Sequence, residues 1–181
     1  RLVRAYREEK FPITIVRPSH TYSAPYVPID GGWTAIDRML RGEPVIVHGD
    51  GTSLWTLTHA SDFAKGFVGL MGNAHAIGES FHITSDEWLT WNQIHEILAA
   101  AAGYDPIWGE SLLGDKTHSF ILDNSKVKRL VPDFICTMPF SRGAEEIIAW
   151  HMADPARRKV DEAFNALCDR ILQAYAKAWP G

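Results

Sequence analysis

Two side chains near the start of the chain have the types and the spacing for proton transfer. Tyr6 and Lys10 lie four residues apart in "YREEKFPITIVRP", so on a helix a phenol and an ammonium share one face. Such a pair can take up or give a proton where a reacting group lies beside it. The residues around it argue against that placement. Phe11–Pro12 follows Lys10 at once, and Pro12 stops the helix, so the pair stands on its last turn. The β-branched run Ile13 to Val16 then reads as a strand buried on both faces and ending at Arg17–Pro18. In a parallel α/β sheet, ligands bind beyond the carboxyl ends of the strands. A strand of about five residues, at roughly 3.3 Å each, would leave Tyr6 and Lys10 about 15 Å from that crevice. They are expected to be an exposed helix end, and no catalytic residue is assigned in this chain.

Other constellations are incomplete. Gly49 and Gly51 give only G-x-G, with Leu54 where a third glycine would stand, and they join two expected strands instead of a strand and a helix. Converging N–H groups at a helix N-terminus, the device that holds a pyrophosphate, are therefore not predicted there. The eight histidines form no H-x-x-x-H or H-E-x-x-H arrangement, so no metal site is expected. No Ser-His-Asp set can be nominated from spacing. The loop Arg17 to Tyr22 is better placed, because it leaves a strand at its carboxyl end and points at the crevice. His20 there could donate to an anion or pass a proton; the alternative is an imidazole bonded within its own loop. Arg17 reads as structural, a cation satisfying carbonyls beneath the loop.

The elements that must position these residues alternate. Helices are predicted for Arg1 to Glu9, around Trp33 to Leu40, from a Ser61 cap to about Met71, from a Thr90 cap to Gly103, over Asn124 to Leu130, and from a Ser141 cap through "RGAEEIIAWHM". A last helix is expected from Pro155 to about Ala178, with Val160, Phe164, Leu167, Ile171 and Tyr175 along one face. Strands are predicted at Val45 to Val47, Leu54 to Thr58, Phe81 to Thr84 and Ser119 to Leu122. Asp50–Gly51 is placed to turn the first two of these as a hairpin. Mixed α/β is the class this pattern favours.

Composition excludes several roles. With 181 residues, 46% hydrophobic and 22% charged, the chain has the make-up of one globular unit. Its net charge of −4 and scattered basic residues do not suggest a nucleic-acid or anionic-membrane surface. No apolar run is long enough to span a bilayer and no signal peptide leads the chain. Cys136 and Cys168 form no C-x-x-C pair, so reduced thiols and a cytoplasmic location are expected. The first residue is Arg1 rather than Met, consistent with a piece of something longer.

Five segments carry a resemblance in order. "ITIVRPSHTYSAP", "RGEPVIVHGDGTSLWTLTHASDFAKGF", "ESFHITSDEWLTWNQIHEIL", "LDNSKVKRLV" and "PFSRGAEEIIAW" together resemble the later portion of the NAD-dependent epimerase/dehydratase family, the extended short-chain dehydrogenases. The likeness covers Arg1 to about Trp150. It implies the last strands of a Rossmann-type parallel sheet plus a small mixed α/β substrate-binding subdomain. Residues 1–154 are read as that portion and 155–181 as a carboxy-terminal helical extension.

The resemblance also implies functions. It places the Gly-rich NAD loop and a genuine Tyr/Lys pair upstream of Arg1, so that NAD or NADP is the cofactor of the complete protein and this chain alone is expected to be inactive. It implies that the backbone around Pro18 and Ser19 meets the nicotinamide, and that His20 stands where nucleotide-sugar enzymes carry an Asn that reaches substrate phosphates. His20, Thr21 and Trp55 are the expected substrate contacts. Nucleotide-sugar members read G-D-G-x-Q-x-R-D where this chain reads "GDGTSLWT", so Trp55 replaces a diphosphate-clamping Arg. A second such Arg has no counterpart in "GESLLGDKTHS", where Lys116 offers only a point charge. A less charged or more aromatic small molecule stacking on Trp55 is the expected substrate; the bland reading of Trp55 is core packing. His59 and Asp62 match the family's "H-V-x-D" stretch and read as structural. A homodimer of the complete protein is implied through the helix whose remainder is Arg1 to Glu9. The alternative class is a non-catalytic interaction or scaffolding domain of the same superfamily.

Overall fold

The structure is a computed structural model and describes residues 1–104, 108–112 and 114–178. Helix α1 spans Leu2–Glu9 and ends at Lys10, whose left-handed φ of 57° closes the last turn. Strand β1 follows at Ile15–Pro18, two residues later than its apolar run suggests. It is half exposed rather than buried on both faces: Ile15 and Val16 are partly buried, and Arg17 and Pro18 are exposed. Among the described residues its hydrogen-bonded neighbour is β6 (Ser80–Ile83), in parallel, with Ile15 opposite Ser80 and Pro18 opposite Ile83. Among the described residues no strand pairs with the other edge of β1.

Three further pairings occur among the described residues. Strand β2 (His20–Tyr22) pairs in parallel with β5 (Leu57–His59), β3 (Val45–His48) in parallel with β8 (Trp108–Leu112), and β4 (Leu54–Trp55) antiparallel with β7 (Leu89–Thr90). The expected β3–β4 hairpin does not form. Gly49 and Gly51 do take positive φ, at 57° and 75°. But the turn they make docks on helix α4 (Trp91–Ala102): Asn92 donates its backbone N–H to Gly51 O and its side-chain N–H to Asp50 O. Tertiary docking of the turn thus sends β3 and β4 to different partners. Strand β2 had no sequence signal, because three residues inside a Ser/Pro-rich loop carry too little pattern. The strand expected at Ser119–Leu122 reduces to one bridge between Phe120 and Trp55.

The helices follow the predicted frame with altered caps. Helix α2 spans Trp33–Leu40, as its apolar face indicates. Helix α4 carries the capping box that Thr90 and Gln93 allow and closes at Gly103, φ 80°. Helix α3 (Ala60–Leu70) is capped by His59, which accepts the Ser61 N–H, so Ser61 lies inside it. Helix α5 is Ser125–Leu130. Helix α6 spans Phe140–Met152 with Pro139 at its start, displacing the expected Ser141 cap; Glu87 accepts the Phe140 N–H instead. Pro155 opens only one 3-10 turn, and α7 begins at Glu162, where Asp161 accepts the Ala163 and Phe164 N–H groups.

Among the described residues two apolar cores result. One joins Tyr22, Trp33, Ile36, Val45, Leu57, Trp91, Ile94, Phe140 and Ile147 around α2, α4 and α6. The other joins Leu70, Phe81, Ile83, Val127 and Phe134 beside β6. Asp62 binds the segment before α6 to α3 by accepting from the Thr137 and Met138 N–H groups at 3.0 and 2.9 Å and from Lys65 Nζ at 2.7 Å. Burial alone would raise its carboxyl; these donors outweigh that and hold it below the usual carboxylate range. The structural reading of Asp62 therefore has a physical basis.

Candidate functional site

Tyr6 is far from the loop side of the sheet. Its ring lies on Gly78, where any Cβ would overlap it, and the Gly78 N–H donates to Ile13 O at 2.7 Å. Gly78 leads into β6 at Ser80, so Tyr6 is at the amino ends of β1 and β6. The opposite, carboxyl ends of these strands are at Pro18 and Ile83.

At those ends a cleft of about 530 Å³ is lined by His20, Thr21, Tyr22, Ser23, Tyr26 and Ala60. Strand β2 holds His20 and Thr21 there through its pairing with Leu57 and Thr58. The Ser19 hydroxyl is committed inward, 2.6 Å from the Thr58 hydroxyl, which in turn accepts the Ser85 N–H. Neither Ser19 nor the exposed Pro18 is among the residues lining the cleft. Arg17 is exposed and, among the described residues, caps no carbonyls, contrary to the structural part expected of it.

An aromatic wall stands behind His20. Its ring is 6.4 Å from Trp55, edge to face, 6.2 Å from Trp91 and 6.3 Å from Tyr26. Trp55 is itself 5.6 Å from Trp91 and from Phe120, and donates its indole N–H to His118 O at 3.0 Å. That bond fixes the indole in one orientation while leaving the residue partly exposed. Trp55 is thus neither free nor fully in the core. Trp91 is wholly buried, and its indole N–H has no hydrogen-bond partner among the described residues. Trp88 is 54% exposed.

Charge enters from two sides. Asp30 places one carboxylate oxygen 3.5 Å from His48 Nε2 and the other 4.0 Å from Lys116 Nζ. The same ammonium lies 5.9 Å from the Trp55 ring centre. Burial lowers the His20 pKa first, the Lys116 charge lowers it further and Asp30 opposes both, so the imidazole is neutral at pH 7 and able to donate from one nitrogen and accept at the other. Asp30, His48 and Tyr26 carry no motif in the sequence; they reach the site through the 23–32 loop and β3. Gly49 and Gly51 do not form an open phosphate cradle, since Thr117 and Asn92 side chains occupy the space beside them. The described residues therefore do not fit the pyrophosphate of a dinucleotide there. None of them forms a group of three or more possible metal ligands.

Parallel βα pairs with a ligand-type cleft beyond the strand ends define an α/β fold of the Rossmann kind. Residues 1–84 match the family model described as NAD dependent epimerase/dehydratase family. The UDP-glucose 4-epimerase of Thermotoga maritima, solved with UDP-glucose, is 26% identical and superposes with a TM-score of 0.68 over 84% of this chain and 50% of its own. The UDP-glucuronic acid 4-epimerase of Bacillus cereus, solved with UDP-glucuronic acid and NAD, is 24% identical with a TM-score of 0.69 over 82% and 48%. The chain therefore has the fold of the NAD-dependent epimerase/dehydratase family, and its first 84 residues carry that family's sequence pattern. Two curated relatives are also similar: 2'-dehydrokanamycin reductase of Streptomyces kanamyceticus, 29% identical over 54% of this chain and 28% of its own, and the chloroplast stem-loop binding protein of 41 kDa b of Arabidopsis thaliana, 28% identical over 50% and 24%. The chain spans about half the length of the solved structures and about a quarter of these relatives.

Proposed function

We propose that residues 1–154 are the substrate-binding portion of an NAD(P)-dependent epimerase, dehydratase or reductase, with 155–181 a helical extension, and that the substrate is a sugar-like hydroxyl or keto compound without a diphosphate. The observation that carries the substrate class is Trp55, hydrogen-bonded into the aromatic wall where a clamping guanidinium would be needed. Lys116 is the cation that reaches this wall among the described residues, and Asp30 already balances it. Among the described residues a dianionic diphosphate would meet no bidentate partner beside Trp55, whereas a ring with an apolar face finds Trp55 and Tyr26 beside the neutral His20. The similarity to a reductase named for 2'-dehydrokanamycin rather than a nucleotide sugar is in keeping with this reading.

In the complete protein, the cofactor would exchange a hydride with the substrate. The parts assigned to this chain are the Pro18–Ser19 backbone facing the nicotinamide end and His20, Thr21 and Trp55 holding the substrate. The complete protein should reduce or oxidise uncharged glycosides with NAD(P) and bind UDP-glucose weakly; preferential turnover of UDP-glucose would reject the substrate class. The chain alone is expected to be inactive and the complete protein a homodimer in the cytoplasm. A second reading, a non-catalytic interaction domain, draws on the likeness to the stem-loop binding protein. The net charge of −4 opposes nucleic-acid binding, and a filter-binding titration with a stem-loop RNA decides between them.

A further inference from the structure

The carboxy-terminal helix α7 makes three specific contacts with one short stretch of chain. Phe164 lies directly on Gly31, filling the place a Cβ would take at a residue whose φ of 81° already favours glycine. The Thr34 hydroxyl accepts the Asp161 N–H at 2.8 Å. The buried Arg38 guanidinium, 2% exposed, donates to Asn165 Oδ1 at 2.6 Å and to Asp169 Oδ1 at 2.8 Å, while its Nε holds Pro44 O at 2.9 Å. Gly31, Thr34 and Arg38 bracket the turn from the 23–32 loop into α2. Asp30, the residue before Gly31, is the one that faces His48 and Lys116 in the candidate site.

We propose that α7 is a strap that sets the position of Asp30, with Phe164 as the positioning residue, so that docking of this helix tunes the charge balance of the cleft around His20 and Trp55. The coupling is mechanical. A bare glycine backbone has no side chain of its own to resist rotation, and the Phe164 ring supplies the missing steric wall. The inference rests on the cleft being the ligand site only for its functional meaning; the geometry it asserts stands without any substrate.

The test is an NMR titration of the His20 imidazole in the full chain, which needs no ligand. The charged groups that act on His20 are Asp30, Lys116 and His48. Asp30→Asn should lower the His20 midpoint, because the carboxylate supports the imidazolium. Phe164→Ala should lower it in the same direction, Phe164→Leu should restore it, and Phe164→Ala added to Asp30→Asn should produce no further shift. Thr34→Val, a milder release of the strap, should give a smaller shift of the same sign and serves where Phe164→Ala does not fold. A His20 midpoint that moves with Asp30→Asn but not with Phe164→Ala or Thr34→Val would overturn the strap; a midpoint insensitive to Asp30→Asn would overturn the placement of Asp30. Failure of the substrate reading would appear only in turnover and would leave these midpoints unchanged.

Discussion

Trp55 and His20 stand edge to face, ring centres 6.4 Å apart and planes at 78°, with the fully buried Trp91 behind both. A residue from β4 and one from β2 thereby form one surface, although 35 positions separate them and neither strand pairs with the other. Trp55→Arg would place a guanidinium against this surface. Charge-assisted hydrogen bonds are worth about 1.5–3 kcal/mol, so binding of UDP should tighten roughly ten- to hundredfold. Isothermal titration of UDP into the wild-type and variant chains measures it, and equal affinities would remove Trp55 from the specificity argument.

Tyr6 is a packing residue in this arrangement. Tyr6→Phe and Lys10→Met should leave turnover by the complete protein within about twofold of wild type. Gly78→Ala meets both the Tyr6 ring and a φ of 82°, and should cost about 1–3 kcal/mol in a urea melt. Loss of turnover in Tyr6→Phe with an unchanged melt would restore Tyr6 as a proton-transfer residue.

Arg38 ties α7 to α2 through a guanidinium that has almost no access to water. Removing two of its partners while leaving its charge, with Glu43 Oε2 still 3.5 Å away, is the costly change. The double variant Asn165→Ala/Asp169→Ala should destabilise by about 3 kcal/mol, and Arg38→Met, which removes the buried charge together with its bonds, by less. Denaturant unfolding of both variants checks the order, and the reverse ranking would mean that water reaches Arg38 once α7 is altered.

Acid should weaken the fold through His95. Burial presses its imidazole down to about 4, opposed by the bond between its Nδ1 and Trp91 O at 2.7 Å. The unfolded chain binds this proton at about 6.5 and the folded chain only near 4, so the stabilising contribution is complete above pH 6.5 and is lost as pH falls towards 4. The full loss amounts to roughly 3 kcal/mol. His95→Gln should flatten the stability profile between pH 6.5 and 4; an unchanged slope would place the acid sensitivity elsewhere.

Local chemistry was readable wherever one element specified itself. Thr90, Gln93 and Gly103 bound α4 because cap donors and a left-handed glycine act within a turn of the helix they close. The wrong-edge placement of Tyr6 followed from Pro12, since a helix that is already under way cannot continue through a proline. Ser61 and Ser141 are poor guides for the same reason in reverse: His59 accepts the Ser61 N–H and the Glu87 carboxylate the Phe140 N–H, so each helix starts before its serine, and Glu87 comes from more than fifty residues away.

The sequence by itself determined the α/β class, the family likeness and the absence of an arginine from "GDGTSLWT", because each is written in contiguous residues or in their order. Only the tertiary structure decided that β3 and β4 part company, that Lys116 and Asp30 meet beside Trp55, and that α7 presses on Gly31. Those contacts join segments about 35 to 135 residues apart, and their partners are selected by packing and charge in three dimensions, for which no local pattern exists.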